Sequence, residues 1–494
     1  MSSYRSTYTV RSARSRTSRI TEGVLSSSHK STTLHLLANA FPDPEDIVGE
    51  EYLRPTECTM SLPTTTSEQI AKLPSSLNPE EKPLLPSPHE GDGFDEPTST
   101  FSQSVFNAVN VLMGLGILSL PYGFKITGWV LGLFLLLCFC LLTRYTAILL
   151  RRCLDLNPAM LSLSDVGYAA FGNKGRIAMA VLLVAELLAA SVALLMVFAD
   201  SIHALYPESN LNLLKVIGIL VLIPSTWVPL GILAYTSIIG IISTVALVAV
   251  VVINGFSTTV SPGSLLVPAS TSLWPAMPWA IPISFGLLMA GFAGHAVFAS
   301  IYRDMKCPEK FPAVLKYSYI ITSVIYLVMA GGGYLMFGNS LQHEIIMNLV
   351  ENPNYNQFLT RLVVWTVVLN PISKFGLTLN PANLILEVFF SNAPFNLNIR
   401  ASKYRRIVFR TALCLFVCMV AILIPGFHRV MALLGSFSCF TISAILPLAC
   451  HLQLFKNELT RGRKMFDWSL IGICSIMAIV GTVWTFLPAE LIEA

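Results

Sequence analysis

Long apolar runs dominate the chain from Phe101 onward, whereas the residues before it are mainly polar. Each run has about 17–30 residues, and about 20 residues of α-helix cross the hydrocarbon core of a bilayer. The pattern therefore predicts an all-α polytopic membrane protein with eleven membrane-spanning segments. We place the segments at residues 102–124, 128–150, 176–203, 212–228, 231–256, 279–301, 312–337, 357–388, 404–424, 429–453 and 467–488.

Residues 1–100 lack hydrophobic periodicity and are rich in Ser, Thr and Pro. Such a segment cannot bury enough apolar surface to offset the entropy lost on ordering. We therefore expect a disordered tail at residues 1–100 and a transmembrane domain at residues 101–490.

The charge content excludes several classes of protein. Only 12% of the 494 residues are charged, whereas soluble domains have about 25%. The tail carries 23 of the 60 charged residues, which leaves 37 for the remaining 394. Residues 101–490 therefore cannot form a soluble enzyme, a nucleic-acid binder or a secreted disulfide scaffold. The domain is expected to lie in a lipid bilayer, and the net charge of +4 is too small to indicate a polyanionic partner.

The basic residues of the loops predict the orientation of the domain. Loops after segments two, six, eight and ten contain 17 Lys and Arg residues, whereas the opposite loops contain four. Because positive loops stay in the cytosol, the tail should be cytosolic and the C-terminus should lie on the far side. If segments four and five were one segment, the later loops would change sides. None of the ten cysteines falls in a far-side loop, so we expect no disulfide bond.

Two segments carry glycines at their centres, the first at Gly114 and Gly116 and the sixth at Gly291 and Gly294. Glycine costs about 1 kcal/mol relative to alanine inside a helix, which favours local unwinding. Close packing of helices at small residues is the alternative interpretation. Broken helices in the first and sixth positions are typical of a 5+5 inverted repeat, here followed by one extra helix. Interrupted helices at matching positions of two repeats indicate a transporter binding site.

An unwound stretch exposes backbone N–H groups that bind a carboxylate with the help of the helix dipole. Exposed carbonyl groups bind an ammonium, so a zwitterionic amino acid fits such a site. His295 would contact the substrate, titrate, or make a hydrogen bond between helices. The candidate substrate-binding residues are Gly114, Leu115, Gly116, Phe292, Ala293, Gly294 and His295.

Three stretches resemble the amino acid/auxin permease family. They are GLGILSLPY at residues 114–122, the residues Gly294, His295, Phe298, Ile301 and Tyr302, and DVGYAAFG at residues 165–172. The third is most similar to fungal vacuolar amino acid transporters, and the vesicular GABA/glycine transporter is a more distant likeness. The resemblance covers about residues 100–490. It implies a LeuT-like fold of eleven segments that carries amino acids in exchange or symport with protons. The sequence has no HExxH motif, no paired intramembrane aspartates and no exposed Ser or Cys with a plausible base, so we expect no enzymatic activity, cofactor or metal.

Two ionisable residues lie near the middle of segments, Glu186 in the third and Lys374 in the eighth. Charges buried in a membrane are costly and usually functional. The resemblance implies that the Lys374 ammonium occupies a position that sodium takes in LeuT-like proteins, so we expect coupling to protons. Lys374 as a fixed ion-pair partner is the alternative. Glu186 would relay a proton or pair with Lys374, and Asp200 is expected to be a solvated interfacial charge.

The run that contains Glu80, Leu84 and Leu85 resembles an acidic dileucine signal, which a cytosolic sorting adaptor would recognise; a plain linker is the alternative. We therefore expect proton-coupled transport of neutral amino acids across a vacuolar or lysosome-like membrane, with a luminal C-terminus. Three alternatives remain open: a plasma-membrane symporter, a transporter of an amino-acid-derived metabolite, and an amino-acid sensor that signals through the tail.

Overall fold

The computed structural model describes residues 99–227, 230–275, 277–392, 403–424 and 426–487. Within these ranges the regular structure is helical, apart from an isolated bridge between Ser99 and Met305. The predicted all-α class is therefore confirmed. Nearly all of the predicted tail, including the sorting signal at Glu80, Leu84 and Leu85, lies outside the described residues.

Most α-helices of these ranges follow one another with short connections, and a longer connection covers residues 258–277. Short 3₁₀ turns lie between α1 and α2 and between α6 and α7, and π-helical turns lie between α12 and α13. In chain order the helices are α1 (Phe101–Leu112), α2 (Leu120–Leu154), α3 (Leu163–Leu205), α4 (Leu211–Leu222), α5 (Leu230–Ser257), α6 (Ile281–Met289), α7 (His295–Asp304), α8 (Phe311–Phe337), α9 (Ile345–Glu351), α10 (Gln357–Asn392), α11 (Lys403–Leu423), α12 (Phe427–Leu433), α13 (Leu446–Leu454) and α14 (Arg461–Thr485).

Helix α2 contains the end of predicted segment one, residues 120–124, and the whole of segment two, and it changes direction at Gly128. The φ angle of Gly128 is 68°, in the left-handed region that glycine adopts without steric cost. A Cβ atom on Gly128 would also lie 2.7 Å from the backbone of Trp274. The predicted gap between segments one and two is therefore a one-residue turn.

Helix α3 begins at Leu163, earlier than the predicted start at residue 176. Its first turn is stabilised by a capping box, in which Ser162 accepts a hydrogen bond from Asp165 N and Asp165 accepts one from Ser162 N. Gly172, with a φ angle of 66°, turns the chain between this first stretch and the long helix that follows it, so the predicted segment at residues 176–203 corresponds to the part of α3 after Gly172.

Nine helical stretches among the described residues are long and apolar enough to cross a membrane. They lie in α2, α3, α5, α6 with α7, α8, α10, α11, α12 with α13, and α14. Helix α4 with its following 3₁₀ turn is a shorter apolar helix. Phe134, Leu137 and Ile476 expose about 60% of their surface, as expected for side chains that face lipid and not water.

The broken helices lie within a tightly packed set of helices. Helix α10 packs along both α3 and α5, while α8 packs along α1 and α2. Helix α8 contributes three fully buried tyrosines, Tyr319, Tyr326 and Tyr334. Because α8 touches the helix before the first break and the helix after it, its side chains can reach the broken region.

One end of the bundle is closed by the residues that flank the broken helices. Ser99 N donates to Asp304 O at 2.9 Å, so the chain entering α1 is bound to the end of α7. The Arg303 guanidinium donates to Leu154 O at 2.7 Å and to Asn157 O at 2.9 Å. We call this region the Ser99 end.

Cys307, in the loop after α7, is disulfide-bonded, and its partner lies outside the described residues. The expectation of no disulfide bond is therefore wrong for Cys307. That expectation rested on the compartment of the loops and took no account of the distances between cysteines.

The opposite end is closed by the segment that precedes α9. The Lys125 ammonium donates to Leu341 O at 2.8 Å, and the His343 ring stacks on the His428 ring with centroids 3.8 Å apart. We call this region the Glu344 end, after the residue that precedes α9.

Candidate functional site

The first break lies between α1 and α2. Helix α1 ends at Leu112, and Gly114 is extended, with φ −82° and ψ −165°. Residues 115–118 then form a single 3₁₀ turn before α2 begins at Leu120. The predicted interruption at Gly114 and Gly116 is therefore confirmed.

The second break lies between α6 and α7. After a 3₁₀ turn at Ala290–Phe292, Ala293 is extended with ψ 104°, and α7 begins at His295. The preceding residue, Gly294, has no side chain to cap the helix. Val297 N and Phe298 N donate to Gly294 O, so His295 and Ala296 carry the N–H groups of this turn that have no helical partner. The predicted interruption of the sixth segment is also confirmed.

The two breaks touch through their backbones. A Cβ atom on Gly116 would lie 3.1 Å from Gly291 N and 3.3 Å from Gly291 Cα. This contact is tighter than an ordinary van der Waals approach. The two stretches of backbone can therefore meet only because residue 116 has no side chain. Close packing at small residues and unwinding, considered as alternatives from the sequence, occur together here.

Tyr326 of α8 connects the two breaks. Its hydroxyl is in hydrogen-bonding contact with Leu112 O, at the end of α1, and lies 2.6 Å from Gly291 O. A hydroxyl has one proton, so it can donate to only one of the two carbonyls at a time. The other carbonyl remains an acceptor for a different donor.

Phe292 is placed by its packing and exposes no side-chain surface. Its ring stacks on Tyr319, with centroids 6.1 Å apart, and meets Tyr326 edge-on at 5.5 Å. The side chain of Phe292 therefore belongs to the core, and only its backbone is available at the break.

His295 makes a hydrogen bond between helices. Its Nε2 atom lies 2.9 Å from Thr146 Oγ1 in α2, and Thr146 Oγ1 also lies 2.6 Å from Ser443 O. The structure thus shows the helix-to-helix contact that was one of the roles considered for His295. The ring is 1% exposed and lies at the start of α7, beside the second break.

A small cavity adjoins the first break. Its volume is about 10 Å³, room for about one water molecule. Gly114 and Leu115 line one side, while Ser243, Thr244 and Asn370 contribute polar groups from α5 and α10. Asn370 Oδ1 and Ser243 Oγ are buried and have no hydrogen-bond partner in the described part of the chain. The cavity is therefore polar but too small for an amino acid.

Lys374 lies one helical turn beyond Asn370 on α10. A Cβ atom on Gly240 would lie 3.3 Å from Lys374 Nζ and 3.0 Å from Asn370 Oδ1. Both side chains therefore face α5 at Gly240, next to the cavity. No ion pair of Lys374 occurs among the residues that the structure describes.

Glu186 lies on α3 and is directed toward the π-helical turn at Leu434–Cys439. It interacts electrostatically with Cys439, and its Oε2 atom is buried without a hydrogen-bond partner in the described ranges. Glu186 and Lys374 do not pair in this structure. Lys374 therefore faces α5, and Glu186 faces the π-helical turn.

Asp200 is not the solvated charge that the sequence predicts. It is 5% exposed and faces Glu344, which is 2% exposed. Burial raises the pKa of the Glu344 carboxyl well above its usual range, and the nearby Asp200 carboxyl raises it further. The expectation failed because residues near a helix end usually meet water, whereas here the segment before α9 covers that end.

Sequence reasoning did not identify Tyr326, Glu344 or the π-helical turns. A tyrosine in an apolar helix and a glutamate in a loop carry no distinctive spacing. The run of small residues Gly435, Ser436 and Ser438 was the available signal for the π-helical turn. Within the described ranges, no group of three or more His, Cys, Asp or Glu side chains could hold a metal ion.

Comparisons with known proteins agree on one family. The family model described as "Transmembrane amino acid transporter protein" matches residues 97–488. "Amino acid transporter AVT1E" of Arabidopsis thaliana is 34% identical over 399 residues, which cover 78% of this chain and 71% of the relative. "Amino acid transporter AVT1B" of the same plant is also 34% identical, over 78% of this chain and 70% of that protein.

A solved structure shares the fold. Mhp1, described as a nucleobase-cation-symport-1 family transporter in a closed conformation with bromovinylhydantoin bound, superposes with a TM-score of 0.52. The match covers 81% of this chain and 92% of Mhp1, at 13% sequence identity. This likeness concerns the fold alone.

Proposed function

Because this chain belongs to the transmembrane amino acid transporter family, we propose that it carries neutral amino acids across an acidic organelle membrane in a proton-coupled manner. The protein is a multi-pass membrane transporter and not an enzyme. The contact between the two helix breaks supports the proposal most strongly, because it brings the backbones of the two breaks together at Gly116 and Gly291.

The proposed architecture has eleven spans, of which spans one to ten form a 5+5 inverted repeat. Nine apolar helical stretches, the shorter α4, and α1 with the first turns of α2 support this count. The breaks fall in the first and sixth spans of that arrangement, as expected when each repeat opens with a broken helix.

In the proposed binding mode the substrate lies along the two breaks. Its carboxylate accepts hydrogen bonds from N–H groups of Leu115 and Gly116 and from the first turn of α7 at His295. The ammonium donates to carbonyls at the breaks, including the one that Tyr326 leaves free. Gly114 and Gly294 allow the substrate to approach the backbone, while Phe292 and Ala293 set the position of the second break.

Access to this site requires movement. The Ser99 end and the Glu344 end are both closed by hydrogen bonds, and the cavity at the first break holds about one water molecule. We therefore assign the structure to a closed state, from which one end opens at a time in an alternating-access cycle.

Glu186 and Lys374 are the proposed proton-coupling groups. Lys374 lies beside the polar cavity at Gly240, and Glu186 has a buried carboxyl oxygen that accepts no hydrogen bond from a described residue. Both are ionisable groups within membrane-spanning helices. A charge there is energetically costly and usually has a function. Proton binding or release at either group would change the charge next to the broken helices.

The proposed location is a vacuolar or lysosome-like membrane, with the Ser99 end toward the cytosol and the C-terminus in the lumen. The basic loops support the orientation, and the dileucine run at Glu80, Leu84 and Leu85 supports the location. A cytosolic sorting adaptor would bind that run.

The experiment that tests this function is uptake of a panel of amino acids into sodium-free vesicles that contain the purified protein and carry an imposed pH gradient. We expect uptake of one or more neutral amino acids that stops when the gradient is collapsed. Binding without uptake would instead favour a sensor, and uptake of an amino-acid derivative alone would identify a metabolite carrier.

A further inference from the structure

Asp200 and Glu344 form a buried pair of carboxyl groups at the Glu344 end. Asp200 lies in the last turns of α3, and Glu344 is the residue that precedes α9. The two side chains are 5% and 2% exposed, and their carboxyl groups lie within hydrogen-bonding reach of each other. Two ionised carboxylates at this separation repel strongly, whereas a pair that holds one proton makes a hydrogen bond.

The charges around the pair do not balance without a proton. Lys215 of α4 is 2% exposed, donates to Ala421 O at 2.8 Å, and attracts the Asp200 carboxylate. His203, on the same helix as Asp200, also acts on that carboxylate. Two carboxylates against the one buried ammonium leave a single negative charge, and one bound proton neutralises it.

We propose that Asp200 and Glu344 are a proton-binding site in which two carboxyl groups hold one proton, and that this proton fastens the segment before α9 to α3. The proton comes from water at the Glu344 end and returns to it, so no covalent bond other than one O–H bond forms or breaks. The inference deepens the proposed proton-coupled function, on which its role in transport rests.

The direction of the pH effect follows from the Glu344 carboxyl. Its pKa is raised by burial and by Asp200, so the fastened form binds the proton more tightly than an opened form. The contact between the segment before α9 and α3 is fully formed below the usual carboxyl pKa of about 4.3. It is lost as the pH rises through the raised pKa of Glu344. An acidic solution at the Glu344 end therefore keeps this end closed.

Other titratable groups face the same segment. The His343 ring stacks on His428, and the Tyr122 ring meets both edge-on. Arg429 acts on His428, and Lys125 donates to Leu341 O. Protonation of both stacked imidazoles would push them apart. Acidification would therefore weaken the segment's contact through the histidines and strengthen it through the carboxyl pair. An experiment must therefore separate the two.

A contact that a bound proton closes is compatible with antiport of an amino acid against a proton. In the proposed orientation the Glu344 end faces the acidic lumen, and a luminal proton alone can close this end after an amino acid has left. The transporter then carries a proton, and no amino acid, back to the cytosolic side. Antiport requires this return step. A symporter would need the amino acid to bind before closure.

The test is hydrogen–deuterium exchange of the purified full-length protein, with protection factors of residues 341–351 compared at about pH 5 and about pH 8. We expect about tenfold lower protection at the higher pH in the wild type. In Glu344→Gln the amide donates permanently to Asp200, so protection should be high at both pH values. The control Glu208→Gln alters an exposed carboxyl outside this segment and should behave as the wild type.

Wild-type protection that does not depend on pH would overturn the proposal. So would a pH dependence that survives in Glu344→Gln, because it would belong to the histidines. If Glu344→Gln does not yield a monodisperse protein, Asp200→Asn places the amide on the other partner and must give the same result. The exchange measurement needs no transport, so a pH-dependent contact in a protein without amino acid flux would contradict only the proposed function.

Discussion

Gly116 meets Gly291 so closely that a methyl group on Gly116 would lie 3.1 Å from the Gly291 nitrogen. The two glycines belong to separate broken helices, and their contact fixes the position of one break against the other. Substrate groups that bind both breaks therefore depend on this approach. The contact gives the first of five predictions.

Replacing Gly116 by alanine should reduce amino acid uptake by about tenfold, equivalent to about 1.4 kcal/mol, because the breaks must move apart. Uptake is to be measured per amount of monodisperse protein. Gly332→Ala is the matched control, since a Cβ atom there meets nothing within 4 Å and should leave uptake unchanged. Equal uptake by the two variants would show that the contact does not position the site.

Removing the Tyr326 hydroxyl should destabilise the closed state. Tyr326→Phe removes the one hydroxyl proton that either Leu112 O or Gly291 O accepts, which costs about 1–3 kcal/mol. We expect a lower unfolding temperature and weaker substrate binding, measured on the purified protein. Tyr317→Phe on the same helix keeps the ring that packs edge-on against Phe101 and should change neither quantity. An unaltered Tyr326→Phe protein would exclude the bridging role.

Lys374 should be required for proton-driven transport and not for substrate binding. In Lys374→Met the apolar side chain fills the space beside Gly240 without a titratable group, so gradient-driven uptake should disappear while binding of the substrate persists. Lys316→Met, which removes an exposed ammonium from α8, is the control. Wild-type proton-driven uptake in Lys374→Met, or transport that requires a sodium gradient, would contradict this assignment.

Glu186→Gln should lower proton-driven uptake and leave the abundance of the protein unchanged. The amide keeps the size of the side chain but cannot bind and release a proton. The exposed Glu208→Gln variant is the control for loss of a carboxyl group. A loss of abundance without a loss of uptake per molecule would assign Glu186 a structural role.

Alanine at Leu84 and Leu85 should move a fluorescently tagged protein from the organelle membrane to the cell surface, because the adaptor-binding leucines are lost. Imaging of wild-type and variant proteins in the same cells checks this. Unchanged targeting would identify the run as a linker, and wild-type protein at the plasma membrane would favour a cell-surface symporter.

The helix breaks could be predicted because glycines within long apolar runs are a local signal. Gly114, Gly116, Gly291 and Gly294 all lie at or next to a break in the structure. The lengths of α2 and α3 could not be predicted as well, because a single left-handed glycine, Gly128 in α2 and Gly172 in α3, turns one helix directly into the next.

The contacts between side chains at the site were harder to predict from the sequence. Asp200 was misjudged because its partner, Glu344, is distant in sequence and becomes a neighbour only when the segment before α9 folds over α3. Tyr326 was missed for the same reason, since both of its carbonyl partners come from other helices. Glu186 and Lys374 form no ion pair with each other, because Glu186 faces the π-helical turn and Lys374 faces α5.

The central claim is that amino acid movement and proton movement are coupled. It is tested most directly by a pH-sensitive dye inside sodium-free vesicles that contain the purified protein, with no gradient imposed at the start. The account predicts that addition of a transported neutral amino acid changes the internal pH in wild-type vesicles and not in Glu186→Gln or Lys374→Met vesicles. Amino acid uptake at the wild-type rate with no change in internal pH would contradict it.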